Sequence, residues 1–128
     1  MKIAPRSVIA CVIAYVTALA LPLFAHHGAA GYNGKDVQTV TGTATDFQFV
    51  NPHVIVTIEA KDSSGAVTKW QGELTSPNHL VRAGWNAHSI KPGDTVTLTG
   101  ARALSGAPSL RITKTTVNGK ELKTEMGD

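Results

Sequence analysis

Alternation of apolar and polar residues is clearest between residues 53 and 75, where it predicts two β-strands. In the first stretch, His53 to Lys61, apolar residues occupy every second position. In the second stretch, Val67 to Thr75, Trp70 and Leu74 share the inward parity, and the outward parity is polar. A period of two residues is the pattern of a strand that buries one face. Both stretches are therefore predicted to form half-buried strands.

A hairpin is predicted to join these two strands, because Asp62-Ser63-Ser64-Gly65 separates them. A three-residue loop that holds Gly65 in the left-handed conformation is a common solution. This loop would place Ile58 opposite Trp70 and Glu59 opposite Lys69. Apolar faces then meet, and opposite charges pair directly across the ladder.

The rest of the chain predicts three further strands and one short helix. The strands are Val37 to Val50, Thr95 to Ala103 and Ser109 to Val117. Gly42 inside the first of them indicates a bend where a sheet curls. The helix begins at the cap Ser76 with Pro77 in its first position, and Gly84 ends it. Asn118-Gly119 is a last turn that leads to a polar tail.

Five strands with one short helix between strands 3 and 4 predict a mostly β domain of the small OB-fold-like barrel type. A flat sheet packed on the helix is the alternative. The barrel would enclose Val54, Val56, Ile58, Trp70, Leu74, Val96, Leu98, Leu110 and Ile112. The predicted organisation is a signal peptide at 1–25, an extended arm at 26–36 and a single domain at 37–128.

The N-terminus has the features of a secretory signal: a charged start, an apolar run and small residues near its end. Its apolar run is shorter than the roughly 20 residues of a bilayer span, so no stable membrane anchor is expected after cleavage. Cleavage is predicted after Ala25, with Ala20 as the alternative. The stretch before Cys11 is too short for a lipoprotein signal. The protein is therefore expected to be periplasmic or secreted.

The charge and cysteine content of the chain without its signal peptide narrow the range of possible functions. Lys2 and Arg6 leave with it, so ten basic residues remain against nine acidic ones. This near balance and export both argue against a nucleic-acid partner. Because Cys11 is the one cysteine and leaves as well, disulfides, thiolate metal sites and a cysteine nucleophile are excluded.

The histidines carry the candidate chemistry. Cleavage at Ala25 makes His26-His27 the new N-terminus, where the α-amino group and an imidazole can chelate one metal ion. Such nitrogen ligands suit copper(II) best, then nickel and zinc. The alternative is that this pair merely marks the end of the apolar signal. Cleavage at Ala20 would remove the chelate and keep the side chains.

His53 and Glu73 are the second candidate group. In the predicted register His53 faces Thr75 and lies diagonal to Glu73 on the outward face, within reach of long side chains. The two could share a metal ion with His26 and His27, or Glu73 could orient the imidazole. The alternative is a surface histidine paired with a carboxylate, or a ring that closes one barrel end. Convergence of the leader histidines on His53 is an assumption.

Other motifs are weaker. His79 on the helix and His88 in the following loop are expected to be polar surface. Trp85 is expected in the core, with a stacking platform for a sugar or base as the alternative. Gly-x-Ser-x-Gly and phosphate-binding loops are absent from the sequence, so no catalytic residue is predicted.

Taken together, the motifs resemble a family of small exported bacterial proteins known only as a domain of unknown function. The motifs are His26-His27-Gly28, Asn51-Pro52-His53, Trp70 with Glu73, Ser76-Pro77-Asn78-His79-Leu80, Gly84-Trp85 and Lys91-Pro92-Gly93-Asp94. Members of the family usually have His-His-Ser at the first motif and often Phe-Asp where this chain has Tyr32-Asn33. The resemblance implies export and a compact β-barrel-like domain, but no activity.

Three functions remain open from the sequence. The leading hypothesis is a binding protein that holds copper or another divalent metal with His26, His27, His53 and Glu73. The second is a metal-free interaction module for an envelope protein or ligand, using the barrel face and Trp85. The third, a copper redox enzyme, ranks lowest because no deep substrate pocket is evident.

Overall fold

The computed structural model describes residues 30–124, which form a mostly β structure. Within this part of the chain there are six strands and one short helix. The strands are β1 (Tyr32–Gln48), β2 (Ile55–Lys61), β3 (Val67–Glu73), β4 (Thr95–Ala103), β5 (Ser109–Val117) and β6 (Lys120–Leu122). The helix α1 (Pro77–Arg82) lies between β3 and β4, as predicted.

All six strands belong to one sheet, in the order β3-β2-β1-β4-β5-β6. Neighbouring strands in this order pair antiparallel. One further pairing is parallel and joins β3 to β5 over three residues on each strand. The long strand β1 therefore pairs with both β2 and β4, and β3 pairs with both β2 and β5.

The predicted hairpin between β2 and β3 is confirmed in its register. Ile58 pairs with Trp70 and Glu59 with Lys69. Gly65 has a φ of 85°, so it adopts the left-handed conformation that the three-residue loop requires. The side chain of Asp62 accepts hydrogen bonds from residues 64 and 66, which holds the loop in shape.

Strand β1 is longer than predicted, because it begins at Tyr32 rather than Val37. A bulge interrupts its pairing with β2 between Ala44 and Asp46. Gly42 lies beside β2 so closely that a Cβ there would be 2.8 Å from the carbonyl carbon of Glu59. Gly42 is therefore required by a close approach of two backbones, a reason that differs from the predicted bend of the sheet.

The core lies on the inward faces of the strands. Eight of the nine residues predicted to be enclosed are buried: Val54, Val56, Ile58, Leu74, Val96, Leu98, Leu110 and Ile112. The ninth, Trp70, is only partly buried and packs against this cluster. The guanidinium of Arg102 lies 5.8 Å from the centre of its ring, so a cation covers part of the indole face.

Helix α1 begins as the sequence predicts. The side chain of Ser76 accepts a hydrogen bond from the backbone N–H of His79, and Pro77 follows in the first turn. Leu80 is fully buried and anchors the helix to the core. Among residues 30–124, no helix combines the length and apolar character that a bilayer crossing requires.

The prediction of a polar tail after Asn118-Gly119 was wrong for the three residues of β6. Asn118 and Gly119 both have positive φ, which is the geometry of a two-residue hairpin turn. They connect β5 to β6, which raises the strand count from the predicted five to six. Three residues are too few to show a hydrophobic period, although the Asn-Gly pair itself was a hairpin signal.

Candidate functional site

Two of the four predicted metal ligands come together in the structure. Nδ1 of His53 lies 2.6 Å from Oε1 of Glu73. Both side chains are partly buried, with 33% and 18% of their surface exposed. His26 and His27, like the predicted signal peptide and most of the arm, lie outside the described residues.

The carboxylate of Glu73 is the centre of a larger polar group, which we call the Glu73 cluster: Tyr32, His53, Glu73, Ser109 and Arg111. Arg111 donates a hydrogen bond of 2.9 Å to Oε1 of Glu73. The hydroxyl of Tyr32 donates one of 2.8 Å to Oε2 and lies 3.3 Å from the Ser109 hydroxyl. Both carboxylate oxygens are therefore engaged.

Strand pairing brings these side chains together. Glu73 is the last residue of β3, where it pairs with Ile55 of β2 on one side and Arg111 of β5 on the other. His53 precedes β2, and the ladder continues past the strand end through hydrogen bonds between the backbones of Val54 and residues 74 and 75. His53 therefore lies opposite Thr75 and diagonal to Glu73, as the sequence predicts.

Nδ1 is the imidazole nitrogen of His53 that faces the Glu73 carboxylate. Two bare lone pairs would repel at 2.6 Å, so this contact favours the tautomer with its proton on Nδ1. When the ring is neutral, Nε2 is then the unprotonated nitrogen, with its lone pair directed away from Glu73. This tautomer is the one that offers Nε2 to a metal ion or a proton donor.

Tyr32 is electrostatically linked to the same carboxylate. Burial, the largest cause, raises the pKa of its phenol above the ordinary value of 10.0, and the nearby Glu73 carboxylate raises it further. The hydrogen bond with Ser109 and the charge of Arg111 act in the opposite direction. Tyr32 is thus held as a neutral donor to Glu73 at physiological pH.

The described residues alone do not provide a full metal site. Within residues 30–124, no three His, Cys, Asp or Glu side chains are grouped closely enough to hold a metal ion. Glu73 already accepts from Tyr32 and Arg111 and contacts His53, so its oxygens are poorly placed to bind a metal directly. Its geometry instead fits the role of orienting His53, which was the second of the two roles considered for it.

The remaining sequence candidates are separate from the Glu73 cluster. Trp85 has 4% of its surface exposed, and its indole N–H donates a hydrogen bond of 2.6 Å to the backbone carbonyl of Lys123. Its prediction as a core residue is confirmed, and the stacking-platform alternative is wrong. His79 and His88 are both exposed, as expected.

Sequence reasoning missed Tyr32, Ser109 and Arg111 as members of the cluster. The alternation in β5 does place Ser109 and Arg111 at outward-facing positions, and this pattern could have marked them as candidates for the cluster. The missing information was that β5 lies beside the end of β3. Tyr32 was assigned to an extended arm, whereas it begins β1 and pairs with Ala103 of β4.

Comparison with known families gives one match. Residues 13–109 match DUF6152, a family of unknown function. The chain belongs to this family. The DUF6152 match covers most of the chain and includes four of the five residues of the Glu73 cluster, the last of them Ser109 at its end. Arg111 follows two residues later.

Membership of DUF6152 confirms the resemblance inferred from the motifs and brings no activity with it. A search of curated proteins gives no match. Tyr32 stands where the resemblance leads us to expect Phe, and its hydroxyl is the atom that reaches Glu73. In this DUF6152 protein the aromatic residue therefore adds a hydrogen bond that Phe would lack.

Proposed function

We propose that this protein is a periplasmic or secreted metal-binding protein that holds copper(II) through His53 together with His26 and His27. The observation that carries the proposal is the 2.6 Å contact between Nδ1 of His53 and Oε1 of Glu73. This contact supports a proton on Nδ1, which would leave Nε2 available as a ligand. Carboxylate-oriented imidazoles of this kind are common around protein-bound metals.

Copper(II) is the proposed ion because all three ligand side chains are imidazoles, and the N-terminal amine adds a fourth nitrogen. Nitrogen ligands bind copper(II) more tightly than they bind nickel or zinc. Glu73 assists by holding the His53 ring. Arg111 shares the carboxylate charge, so Glu73 remains an acceptor for the imidazole rather than a direct ligand.

We also propose that the strand pairings close into a barrel of the OB type. In support, β1 pairs with β2 and β4, and β3 pairs with β2 and β5, so the pairings of the first five strands form a ring. The helix lies between strands 3 and 4, as in that fold. The His53 imidazole would then lie at one end of the barrel.

Isothermal titration of copper(II) into the chain that begins at His26 tests the metal-binding function. We expect binding that weakens at least tenfold in His53→Ala. Glu73→Gln should weaken it about 10–100-fold, because loss of a residue that orients a ligand has effects of this size. His88→Ala is the matched control, since His88 is exposed in a separate loop, and it should bind within twofold of the wild type.

Two results would overturn the proposal. One is copper binding no tighter than that of the His26→Ala, His27→Ala double variant. The other is equal effects of His53→Ala and His88→Ala. Repeating the titration on a chain that begins at Leu21 separates the N-terminal chelate from the side chains, because only the shorter chain has its amine on His26.

The metal-free interaction module remains the second candidate, with an envelope protein or ligand as its partner. It must work without Trp85, because that ring is buried and its N–H is already bonded to Lys123. Large apolar side chains are exposed at several other positions: Val37, Val50, Val67, Val81 and Leu104. Retention of a periplasmic partner by metal-free protein would favour this function.

A further inference from the structure

A cavity of about 310 Å³ lies next to the Glu73 cluster, between the end of β3, helix α1 and β5. It is lined by Leu74, Thr75, His79, Arg111, Ile112, Thr113 and Thr124. This volume is at the lower end of the range for small-molecule sites in proteins. Arg111 belongs both to the cavity wall and to the cluster.

The lining of the cavity has two chemical characters. Leu74 and Ile112 are core residues with 1% and 7% of their surface exposed, so they form an apolar floor. Arg111, His79 and three threonine hydroxyls supply polar groups around it. None of these lining residues carries a carboxylate, and all the charge they can contribute is positive.

The guanidinium of Arg111 is held in place but is not saturated. One of its terminal nitrogens donates to Oε1 of Glu73 at 2.9 Å. Within residues 30–124, its other nitrogens donate to no protein acceptor. Glu73 also accepts from Tyr32 and contacts His53, so its charge is shared among three partners. Because the bond to Glu73 fixes the orientation of the planar guanidinium, the remaining N–H groups of Arg111 are available to a ligand.

The part of the cavity wall formed by Thr113 and Thr124 is also tied down. The hydroxyl of Thr124 donates a hydrogen bond of 2.9 Å to the backbone carbonyl of Thr113, which fastens the chain after β6 to β5. A cavity whose walls are held in this way needs little rearrangement to accept a ligand. Preorganisation of this kind lowers the entropic cost of binding.

We infer that this cavity binds a small organic anion, with its carboxylate or other oxyanion group on Arg111 and its apolar part against Leu74 and Ile112. The inference does not rest on the metal-binding function, because it uses neither His53 nor the leader histidines, although the two sites share Arg111. A guanidinium beside an apolar floor favours a monocarboxylate with an apolar chain. An inorganic oxyanion would bind Arg111 but leave Leu74 and Ile112 uncovered.

Nuclear magnetic resonance titration of chelator-treated protein tests the inference with three probes: hexanoate, hexan-1-ol and inorganic phosphate. We expect hexanoate to shift the backbone amides of Ile112 and Thr113 and to bind at least tenfold more tightly than either other probe. Equal binding of hexanoate and hexan-1-ol would contradict the role of Arg111. Tighter binding of phosphate would contradict the role of the apolar floor, and no binding of hexanoate would overturn the inference.

Substitutions locate the site. Arg111→Gln should weaken hexanoate binding at least tenfold. Because this substitution also removes a partner of Glu73, an exposed lining residue provides a second variant: Thr113→Trp should fill the cavity and abolish binding. The matched control is Thr68→Trp, which is exposed on β3 away from the cavity and should bind like the wild type. Unchanged binding in Thr113→Trp would show that hexanoate binds elsewhere.

One further variant separates this inference from the metal-binding function. His53→Ala should bind hexanoate within threefold of the wild type while its copper binding weakens at least tenfold. A parallel loss of both would show that the cavity depends on the metal site and would contradict the independence of the anion site. Hexanoate binding by a wild-type protein that fails to bind copper would support the cavity and overturn the metal proposal alone.

Discussion

The hydroxyl of Tyr32 donates a hydrogen bond of 2.8 Å to Oε2 of Glu73, across 41 positions of the chain. This bond connects the first residue of β1 to the last residue of β3. It also places a phenol, a carboxylate, an imidazole and a guanidinium within one cluster. The phenol therefore reports on the state of the group that orients His53.

Titration of Tyr32 should reveal this coupling. Tyr15 lies in the predicted signal peptide, so the chain from His26 contains a single tyrosine. Its phenolate, followed by absorbance near 295 nm, should form above the ordinary pKa of 10.0, because burial and Glu73 both raise the pKa. Glu73→Gln should lower the pKa relative to the wild type, and Ser109→Ala should raise it.

Because the pKa of Tyr32 is raised in the folded protein, its neutral phenol contributes to the free energy of unfolding. This contribution is present below pH 10 and is lost as the pH rises through the pKa of the folded state. Tyr32→Phe should remove the part of the stability loss at alkaline pH that comes from ionisation of this phenol. A phenol that titrates at 10.0 or below in the folded protein would contradict the cluster geometry.

Gly42→Ala should destabilise the protein by about 1–3 kcal/mol, the usual cost of forcing extra atoms into a packed region. The added Cβ would be 2.8 Å from the carbonyl carbon of Glu59, and a backbone group cannot rotate away. Gly34→Ala is the control, because a Cβ there has no atom within 4 Å. Denaturant unfolding measures both, and equal effects would argue against the close approach.

Asp94 should contribute stability that disappears in acid. Hydrogen bonds from the Asn118 side chain, the larger cause, and from the backbone N–H of Lys91 lower its pKa below the ordinary 3.8. A lowered folded pKa gives stability that is present above roughly pH 4 and lost as the pH falls through the folded pKa.

Asp94→Asn should therefore lower the free energy of unfolding at pH 7, and its difference from the wild type should shrink in acid. Urea unfolding at pH 7 and near pH 2.5 compares the two proteins. The pKa of Asp62 is also lowered, chiefly by hydrogen bonds from Ser64, so Asp62 should likewise contribute stability that is lost as the pH falls. A difference that stays constant with pH would show that the carboxylate charge is not responsible.

Trp85→Ala should cost about 3–5 kcal/mol, as for other large buried side chains. Trp85→Phe keeps most of the ring but loses the N–H that bonds Lys123, so it should cost about 1 kcal/mol from that hydrogen bond alone. Guanidinium unfolding followed by circular dichroism measures both. A cost below about 1 kcal/mol for Trp85→Ala would contradict its burial.

Local patterns predicted much of the fold. The β2–β3 register followed from Asp62 to Gly65 and the parity of Trp70, and the helix start followed from Ser76 and Pro77. These signals act over a few residues, where turn geometry and strand periodicity leave few options. The contact between His53 and Glu73 follows from the same register, so it too could be predicted.

The rest of the Glu73 cluster depends on contacts between distant parts of the chain. Arg111 reaches Glu73 because β5 pairs parallel with β3, which no local pattern indicates. Tyr32 reaches it because β1 starts five residues earlier than its apolar residues suggest. Such arrangements depend on how the whole sheet packs, and packing overrides local preference.

The parallel pairing of β3 with β5 has a consequence for the order of folding. It joins Gln71–Glu73 to Ser109–Arg111, segments separated by more than thirty residues, with only three pairs to offset the entropy of closing that loop. The local hairpins have shorter loops to close, and the β1–β4 ladder, although its loop is longer, has nine pairs to offset that cost. The β3–β5 seam should therefore form last and open first. Amide protons at the seam should exchange with solvent sooner than those of the β1–β4 ladder, and any ligand that holds Arg111 should slow that exchange.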